Sequence, residues 1–188
     1  MVRLGTTMSA APNKQYLAVS ALGVDRPGLV QEFTRAISDC GGTVSDSRLF
    51  ALGGEFGLQM LVGGNWHALA RLETELARFC EAQAISLHLR RTGARPTRED
   101  HMPYTVDVVS VDHPGILSGL SGFFAGRGID ISEVATRSYT AAQTGAAMFA
   151  VQMQISVPTR LHVAQLREDF MDYCDRLNLD AILEPVKH

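Results

Sequence analysis

A short motif occurs twice in this chain of 188 residues. Residues 22–30 have the sequence LGVDRPGLV, and residues 110–117 have the sequence SVDHPGIL. The spacing behind the motif also repeats, because Gly41 follows Gly28 by thirteen residues and Gly128 follows Gly115 by thirteen. A repeat of about 85 residues is too long for a solenoid unit and has the size of a small domain. The chain is therefore predicted to contain two copies of one fold.

The composition agrees with two small globular domains. A hydrophobic content of 46% supplies enough apolar side chains for two modest cores, and no segment approaches the ~20 apolar residues of a membrane span. Residues 1–14 lack the apolar run of ~7–15 residues found in secretory signals, so we expect a short disordered lead in which Met8 is an alternative start. The absence of a targeting signal favours a cytoplasmic protein.

The charge is unevenly distributed and argues against direct binding to nucleic acid. The net charge of −3 divides into +2 for residues 1–97 and −5 for residues 98–188, and the chain contains only two lysines. Nucleic-acid binding requires a concentrated basic surface, which neither half provides. A role in gene regulation would therefore act through another protein.

The three cysteines give no sign of a disulfide framework or a metal site. Cys40, Cys80 and Cys174 are widely spaced and lie among apolar residues in predicted helices. A free cysteine in such surroundings usually behaves as a small buried hydrophobic residue. We therefore expect buried thiols, no metal and no cofactor.

The apolar pattern of the first repeat predicts the order βαββαβ within a domain of residues 15–92. The predicted strands are Tyr16–Leu22, Thr43–Leu52, a third around the alternating Leu58, Met60 and Val62, and Ile85–Leu89. The motif opens a helix that ends at Gly41, with Leu29, Phe33 and Ile37 on its apolar face. Asn65 is a plausible N-cap for a second helix. Its predicted buried stripe consists of Trp66, Leu69, Leu72, Leu76 and Phe79.

The second repeat follows the same order within residues 103–188, after a linker at 93–102. Its strands are predicted at 104–111, 130–139, 148–156 and 180–186. A helix over 115–127 directs Leu117, Leu120 and Phe124 inward, and Pro158 opens the last helix. The hairpin at 140–145 is longer than the turn at Gly53 and Gly54.

This order of elements predicts an α+β protein with two ferredoxin-like domains. Each domain has a four-stranded antiparallel sheet with both helices on one face. The opposite sheet face is left uncovered, and two repeats can cover it by stacking their faces or can pair their edges into one eight-stranded sheet. A polar outer face would need neither. Because an exposed edge or face tends to find a partner, we expect a homodimer.

The motif Asp-x-Pro-Gly at a helix start, with Gly at the helix end, resembles the ACT domain in both halves. The resemblance covers roughly residues 16–186. The runs QTGAAMFA at 143–150, LREDF at 166–170 and LNLD at 177–180 are similar to those of the group that represses transcription of the glycine cleavage system. The resemblance implies an amino-acid-responsive regulator that controls a transcription factor by contact between proteins.

The chemistry of the repeated loop suits a zwitterionic amino acid such as glycine. A helix start offers unpaired N–H groups and partial positive charge to a carboxylate, while Asp25 and Asp112 could accept from an ammonium group. In ACT domains this loop faces the second strand of a neighbouring domain. The resemblance therefore implies ligand contacts from Asp25, Gly28, Leu29, Val30, Asp112, Gly115, Ile116 and Leu117, with Val44, Asp130 and Ile131 on the facing strands.

Other interpretations of these residues remain open. Asp25 and Asp112 could simply cap helices, and the Pro-Gly pairs could only form the turn. ACT amino-acid sites often carry Asn where this chain has Thr43 and Asp130, and the Asp130 carboxylate would repel a ligand carboxylate but suit its ammonium.

We predict no catalytic residue, because His113 has Arg26 as its counterpart and no nucleophile lies in the motif. One alternative function is a ligand-free dimerisation scaffold. Another is a fragment of formyltetrahydrofolate deformylase, which is disfavoured because a formyltransferase-like domain is missing.

Overall fold

The computed structural model describes residues 15–94 and 99–186, and these two ranges lie in separate compact units. The predicted disordered lead at residues 1–14 lies outside the described residues. Each unit contains four strands and two helices in the order βαββαβ. The predicted α+β class with two ferredoxin-like units is therefore confirmed.

The first unit is an antiparallel sheet with the strand order β2-β3-β1-β4. Its elements are β1 (Gln15–Val24), α1 (Leu29–Asp39), β2 (Thr43–Leu52), β3 (Glu55–Gly64), α2 (Trp66–Ala82) and β4 (Ser86–Thr92). The alternation that predicted the strands is visible in β1, where Leu17, Val19 and Ala21 are buried and the residues between them are not.

The second unit repeats this topology with the order β6-β7-β5-β8. Its elements are β5 (His101–Val111), α3 (Ile116–Ala125), β6 (Asp130–Thr140), β7 (Ala147–Pro158), α4 (Val163–Arg176) and β8 (Asp180–Pro185). The β6–β7 connection is longer than the Gly53–Gly54 turn, as the sequence predicts. No helix in the described part of the chain is long and apolar enough to cross a membrane.

Each core lies between one face of the sheet and its two helices. In the first unit Phe33 and Phe79 meet edge to face with ring centroids 5.2 Å apart. In the second unit Phe123, Phe124 and Phe170 form an aromatic cluster with centroid distances of 5.2–5.3 Å. Aromatic pairs of this geometry contribute about 0.5–1.5 kcal/mol each beyond the area they bury. The helices are therefore held on their sheets by packing of their apolar stripes.

Two residues that the sequence places in the cores are exposed. Trp66 is 60% exposed and Leu117 is 37% exposed, so the prediction that they point inward is wrong. At 3.6 residues per turn, Leu117 lies roughly 75° and Trp66 roughly 90° from the centre of the buried stripe of its helix. The stripe of α3 contains Phe123 instead, which the sequence analysis did not include.

The prediction that Pro158 opens the last helix is also wrong. Pro158 is the buried last residue of β7 and lies opposite His101 in the ladder. A proline is tolerated at a strand end because the N–H that it lacks is not needed by a continuing ladder. Thr159 donates its amide to the carbonyl of Asp100 at 2.8 Å, and α4 begins only at Val163.

The thiols of the three cysteines are buried, as expected from their apolar surroundings. Burial disfavours the thiolate and raises the pKa of Cys80 to about 11 and that of Cys174 to about 11. The pKa of Cys40 is raised for the same main reason. At pH 8 about one Cys80 thiol in a thousand is ionised, given this pKa.

We therefore expect the native protein to react slowly with an aromatic disulfide reagent at pH 8. In guanidinium chloride, where burial is lost, three thiols should react rapidly. The check is the absorbance of the released thiolate before and after unfolding. Rapid reaction of Cys80 or Cys174 in the folded protein would contradict the burial described here.

Candidate functional site

The repeated motif forms the turn between the first strand and first helix of each unit. Gly28 is the N-cap of α1 with φ 94°, and Gly115 is the N-cap of α3 with φ 97°. Residues that carry a Cβ rarely adopt this left-handed backbone conformation. Glycine at this position thus allows the chain to leave the strand, turn sharply and enter the helix.

The turn presents main-chain amides at the start of each helix. The first intrahelical bonds run from the Glu32 amide to the Gly28 carbonyl at 3.0 Å and from the Gly119 amide to the Gly115 carbonyl at 2.8 Å. The three amides before each of these donors have no acceptor within the helix. They form a positively polarised end that suits a carboxylate.

The hydrophobic residue after each N-cap anchors the turn in the core. Leu29 and Ile116 are buried, so only their main chains are available to a ligand. Val30 and Leu117, the next residues, are exposed at the rim. Of these four predicted ligand contacts, Leu29 and Ile116 can therefore offer only main-chain atoms. Val30 and Leu117 can also offer their side chains.

The interpretation of Asp25 and Asp112 as helix caps is wrong. Neither α1 nor α3 has a hydrogen bond from a capping side chain, and both aspartates are exposed. Their amides instead hold the turn on the neighbouring hairpin, with Asp25 donating to Gly54 at 3.3 Å and Asp112 to Ala147 at 2.9 Å. Both carboxylates remain beside the turn.

The two turns differ in what lies over the glycine. In the first unit the Arg26 guanidinium donates to both oxygens of Glu32, at 2.8 and 2.7 Å, and also to Gln83 at 3.2 Å. A Cβ on Gly28 would lie 3.7 Å from the Glu32 carboxylate, whereas a Cβ on Gly115 would meet nothing within 4 Å. We call the first turn closed, because a carboxylate of its own unit lies beside the glycine, and the second turn open.

The ion pair of the first turn is fully charged near neutral pH. The hydrogen bond from Arg26 holds the pKa of Glu32 below its usual value. The same hydrogen bond raises the pKa of Arg26. The carboxylate that covers Gly28 is therefore a permanent anion under physiological conditions.

The second turn cannot form the same pair, because Arg26 and Glu32 correspond to His113 and Gly119. A Cβ at Gly119 would lie 2.5 Å from the hydroxyl of Tyr173, so a side chain there would require that tyrosine to move. The ring of His113 makes a local contact from Nδ1 to the Pro114 carbonyl at 3.2 Å. The second turn thus lacks a carboxylate at the position of Glu32, and a Cβ on Gly115 would meet no atom within 4 Å.

The predicted strand residues lie at the opposite end of each sheet from the turn. In the first unit Tyr16 pairs with Gly63, which pairs with Thr43, whereas Val24 at the turn lies opposite Glu55. The eight steps from Tyr16 to Val24 span roughly 26 Å at ~3.3 Å per residue. Val44 is therefore not brought near Gly28. The same register separates Asp130 and Ile131 from Gly115 in the second unit.

The strand ends have one feature that the sequence analysis missed. The ladder shifts between Val44 and Asp46 and again between Ile131 and Glu133, so that Ser45 and Ser132 form bulges at equivalent positions. The Ser132 hydroxyl donates to the Gln154 carbonyl at 3.0 Å. A bulge on an edge strand increases local twist and redirects the chain.

Comparison with known proteins is consistent with this geometry. The ACT domain family model matches residues 15–90. The glycine cleavage system transcriptional repressors of Escherichia coli (strain K12) and Shigella flexneri are each 31% identical over 176 residues, which cover 94% of this chain and 93% of theirs. A crystal structure assigned to such a repressor has 27% identity and a TM-score of 0.72, and covers 93% of this chain and 99% of its own. A protein of unknown function from Galdieria sulphuraria has 25% identity and a TM-score of 0.74, with the same coverage.

The match to the repressors extends through both units, and the repeated turn, the sheet order and the paired helices are those of two ACT domains. The chain therefore belongs to the family of glycine cleavage system transcriptional repressors, regulatory proteins built from two ACT domains.

Proposed function

We propose that this protein is a cytoplasmic regulator that binds a small amino acid, glycine first among the candidates, and controls a transcription regulator by direct protein contact. The proposal needs no catalytic residue and no cofactor. The observation that carries it is the open turn at Gly115, where main-chain amides and the Asp112 carboxylate lie within one short segment. The amides can donate to the carboxylate of an amino acid, and the Asp112 carboxylate can accept from its ammonium group.

The ligand would bind in the second turn rather than the first. Its carboxylate would accept from the amides at the start of α3, and its ammonium would donate to Asp112. In the first turn the Glu32 carboxylate lies close to the position that a ligand carboxylate would take. Repulsion between the two anions disfavours binding there.

A neighbouring strand would complete the site. Because the turn and the strand start lie at opposite ends of each sheet, Val44 or the segment at Asp130 and Ile131 would reach a ligand only from another domain. Ligand binding would then favour one arrangement of domains over another. The size of that shift cannot exceed the difference between the ligand's affinities for the two arrangements. That difference is the signal the partner would detect.

A second candidate function is a scaffold that binds no ligand. The closed first turn favours it, since a pair of ACT domains can associate without a bound amino acid.

A thermal-shift screen against the twenty amino acids separates the two candidates. At ~100 times its dissociation constant, a ligand adds about 2.7 kcal/mol to the free energy of unfolding, which gives a clear rise in Tm. We expect a selective shift with glycine or a similarly small amino acid. A flat panel from a well-folded sample would favour the scaffold.

Two matched variants test which turn binds. Gly115→Leu and Gly28→Leu impose the same left-handed strain, so their general cost in stability should be similar. We expect Gly115→Leu to abolish the ligand-induced shift in Tm and Gly28→Leu to retain it, because only the second turn is open. Loss of the shift in Gly28→Leu alone would reverse the assignment.

The ion pair between Arg26 and Glu32 in the first turn should make the stability of the folded protein depend on pH. Because the folded pKa of Glu32 is lowered, its pairing with Arg26 stabilises the protein above the unfolded pKa and is lost as pH falls through the folded pKa. Glu32→Gln should therefore lower the urea midpoint at pH 7 and have little effect near pH 2. In the Arg26→Met background this pH dependence should disappear, and its persistence would show that another group is responsible.

A further inference from the structure

The sheet of the second unit has a cleft on the face opposite its helices, with a volume of about 520 Å³. The residues that line it belong to this unit. Its floor is apolar, because small side chains occupy that side of the three strands: Val109 on β5, Ala135 on β6 and Ala150 on β7. Tyr139 stands at one end and is 38% exposed. An apolar floor with an aromatic rim suits an organic molecule larger than an ion.

Three polar side chains surround this floor. Arg137 lies opposite Ala150 in the ladder, and Gln152 lies opposite Asp107. Within residues 15–94 and 99–186, the side chains of Arg137, Asp107 and Gln152 form no hydrogen bond or ion pair. Their donors and acceptors are therefore available to a bound molecule.

The charges of the cleft lie toward opposite ends. Arg137 and Tyr139 lie at one end, and Asp107 lies toward the other. A second depression, of about 260 Å³, continues from Asp107 to Glu133, so this end is acidic. A ligand with a single charge would meet repulsion at one of the two ends. The arrangement therefore selects a zwitterion.

The spacing of the two charges sets the length of that zwitterion. Arg137 and Asp107 are separated by two strand spacings across β7 and by two residues along the strands. Their Cα atoms are therefore roughly 12 Å apart, at ~4.8 Å per strand and ~3.3 Å per residue, and side chains of strands stand nearly perpendicular to the sheet. Two charge-assisted hydrogen bonds of about 2.8 Å leave roughly 6 Å for the ligand. That is the length of two extended residues and exceeds the charge separation in a single α-amino acid.

We propose that this cleft binds a dipeptide with free termini, at a site separate from the turn at Gly115 and beyond the function proposed above. The carboxylate of the dipeptide accepts from Arg137, and its ammonium donates to Asp107. The Gln152 side chain lies between these two groups and pairs with the peptide bond. An aromatic C-terminal residue packs beside Tyr139 over the apolar floor.

The first unit has neither charge at the equivalent positions. Phe50 stands where the second unit has Arg137, and its ring lies so close to Gly57 that a Cβ there would clash with it. Ser20 stands where the second unit has Asp107. The proposed dipeptide site therefore belongs to the second copy alone.

The probe is glycyl-L-phenylalanine, titrated calorimetrically into the full chain. We expect saturable binding that is weakened on the order of tenfold by Arg137→Gln or by Asp107→Asn, because each removes one charge-assisted hydrogen bond. Arg90→Gln, the same change on the sheet of the first unit, is the matched control and should leave the dissociation constant unchanged. Excess glycine should not compete, since the turn is a separate site.

Two blocked derivatives test each charge separately. N-acetyl-glycyl-L-phenylalanine lacks the ammonium, so its residual binding should be weakened by Arg137→Gln and not by Asp107→Asn. Glycyl-L-phenylalanine amide lacks the carboxylate, so its residual binding should be weakened by Asp107→Asn and not by Arg137→Gln. A general loss of folding would affect both derivatives equally and cannot produce this crossed pattern.

Four results would overturn the proposal. They are no binding of the dipeptide by the wild-type protein, equal affinity for L-phenylalanine, competition by glycine, and an equal response of both derivatives to both substitutions. None of them bears on whether glycine itself raises the Tm, so the dipeptide site and the proposed amino-acid site fail independently.

Discussion

The left-handed glycine at each helix start is the constraint on which the rest of each unit depends. It turns the chain within the short segment between strand and helix, so that Leu29 or Ile116 drops into the core immediately. The same geometry leaves the first-turn amides facing outward and the aspartate of the motif beside them. One backbone requirement therefore fixes both the packing of the helix and the polarity of the site.

The two copies have kept this backbone and diverged in the side chains around it. The first unit uses Arg26 and Glu32 to place an anion over its own turn, and Gln83 supports the guanidinium from the end of α2. The second unit has Gly119 at the position of Glu32, with the hydroxyl of Tyr173 close to where a Cβ would lie. A duplicated site in which one copy carries its own carboxylate beside the turn can respond to ligand through the other copy alone.

Much of the fold could be predicted because it rests on local patterns. Alternation in β1 and four-residue spacing in α1 describe burial directly, and Asn65 indeed accepts from the Ala68 amide as an N-cap. Helical periodicity did not predict that Trp66 and Leu117 are exposed, because a residue at the margin of an apolar stripe can point toward the core or toward solvent. The closure of the first turn had no local signal, since Arg26 lies outside the helix and Gln83 is distant in sequence. Asp25 and Asp112 could be located from the motif. The sequence could not show that their carboxylates do not cap the helices, because that depends on the exact geometry of the turn.

The proposed ligand turn lies next to an exposed apolar residue. Val111 is 61% exposed and immediately precedes Asp112, and the amide of Asp112 is held by the hairpin at Ala147. A ligand that fixes Asp112 would therefore act beside a surface that another protein can contact. By linkage, any preference of the ligand for one bound partner equals the preference of that partner for the ligand-bound protein. Adjacency of this kind would let a small molecule change which surface a transcription regulator meets, with no rearrangement inside either core.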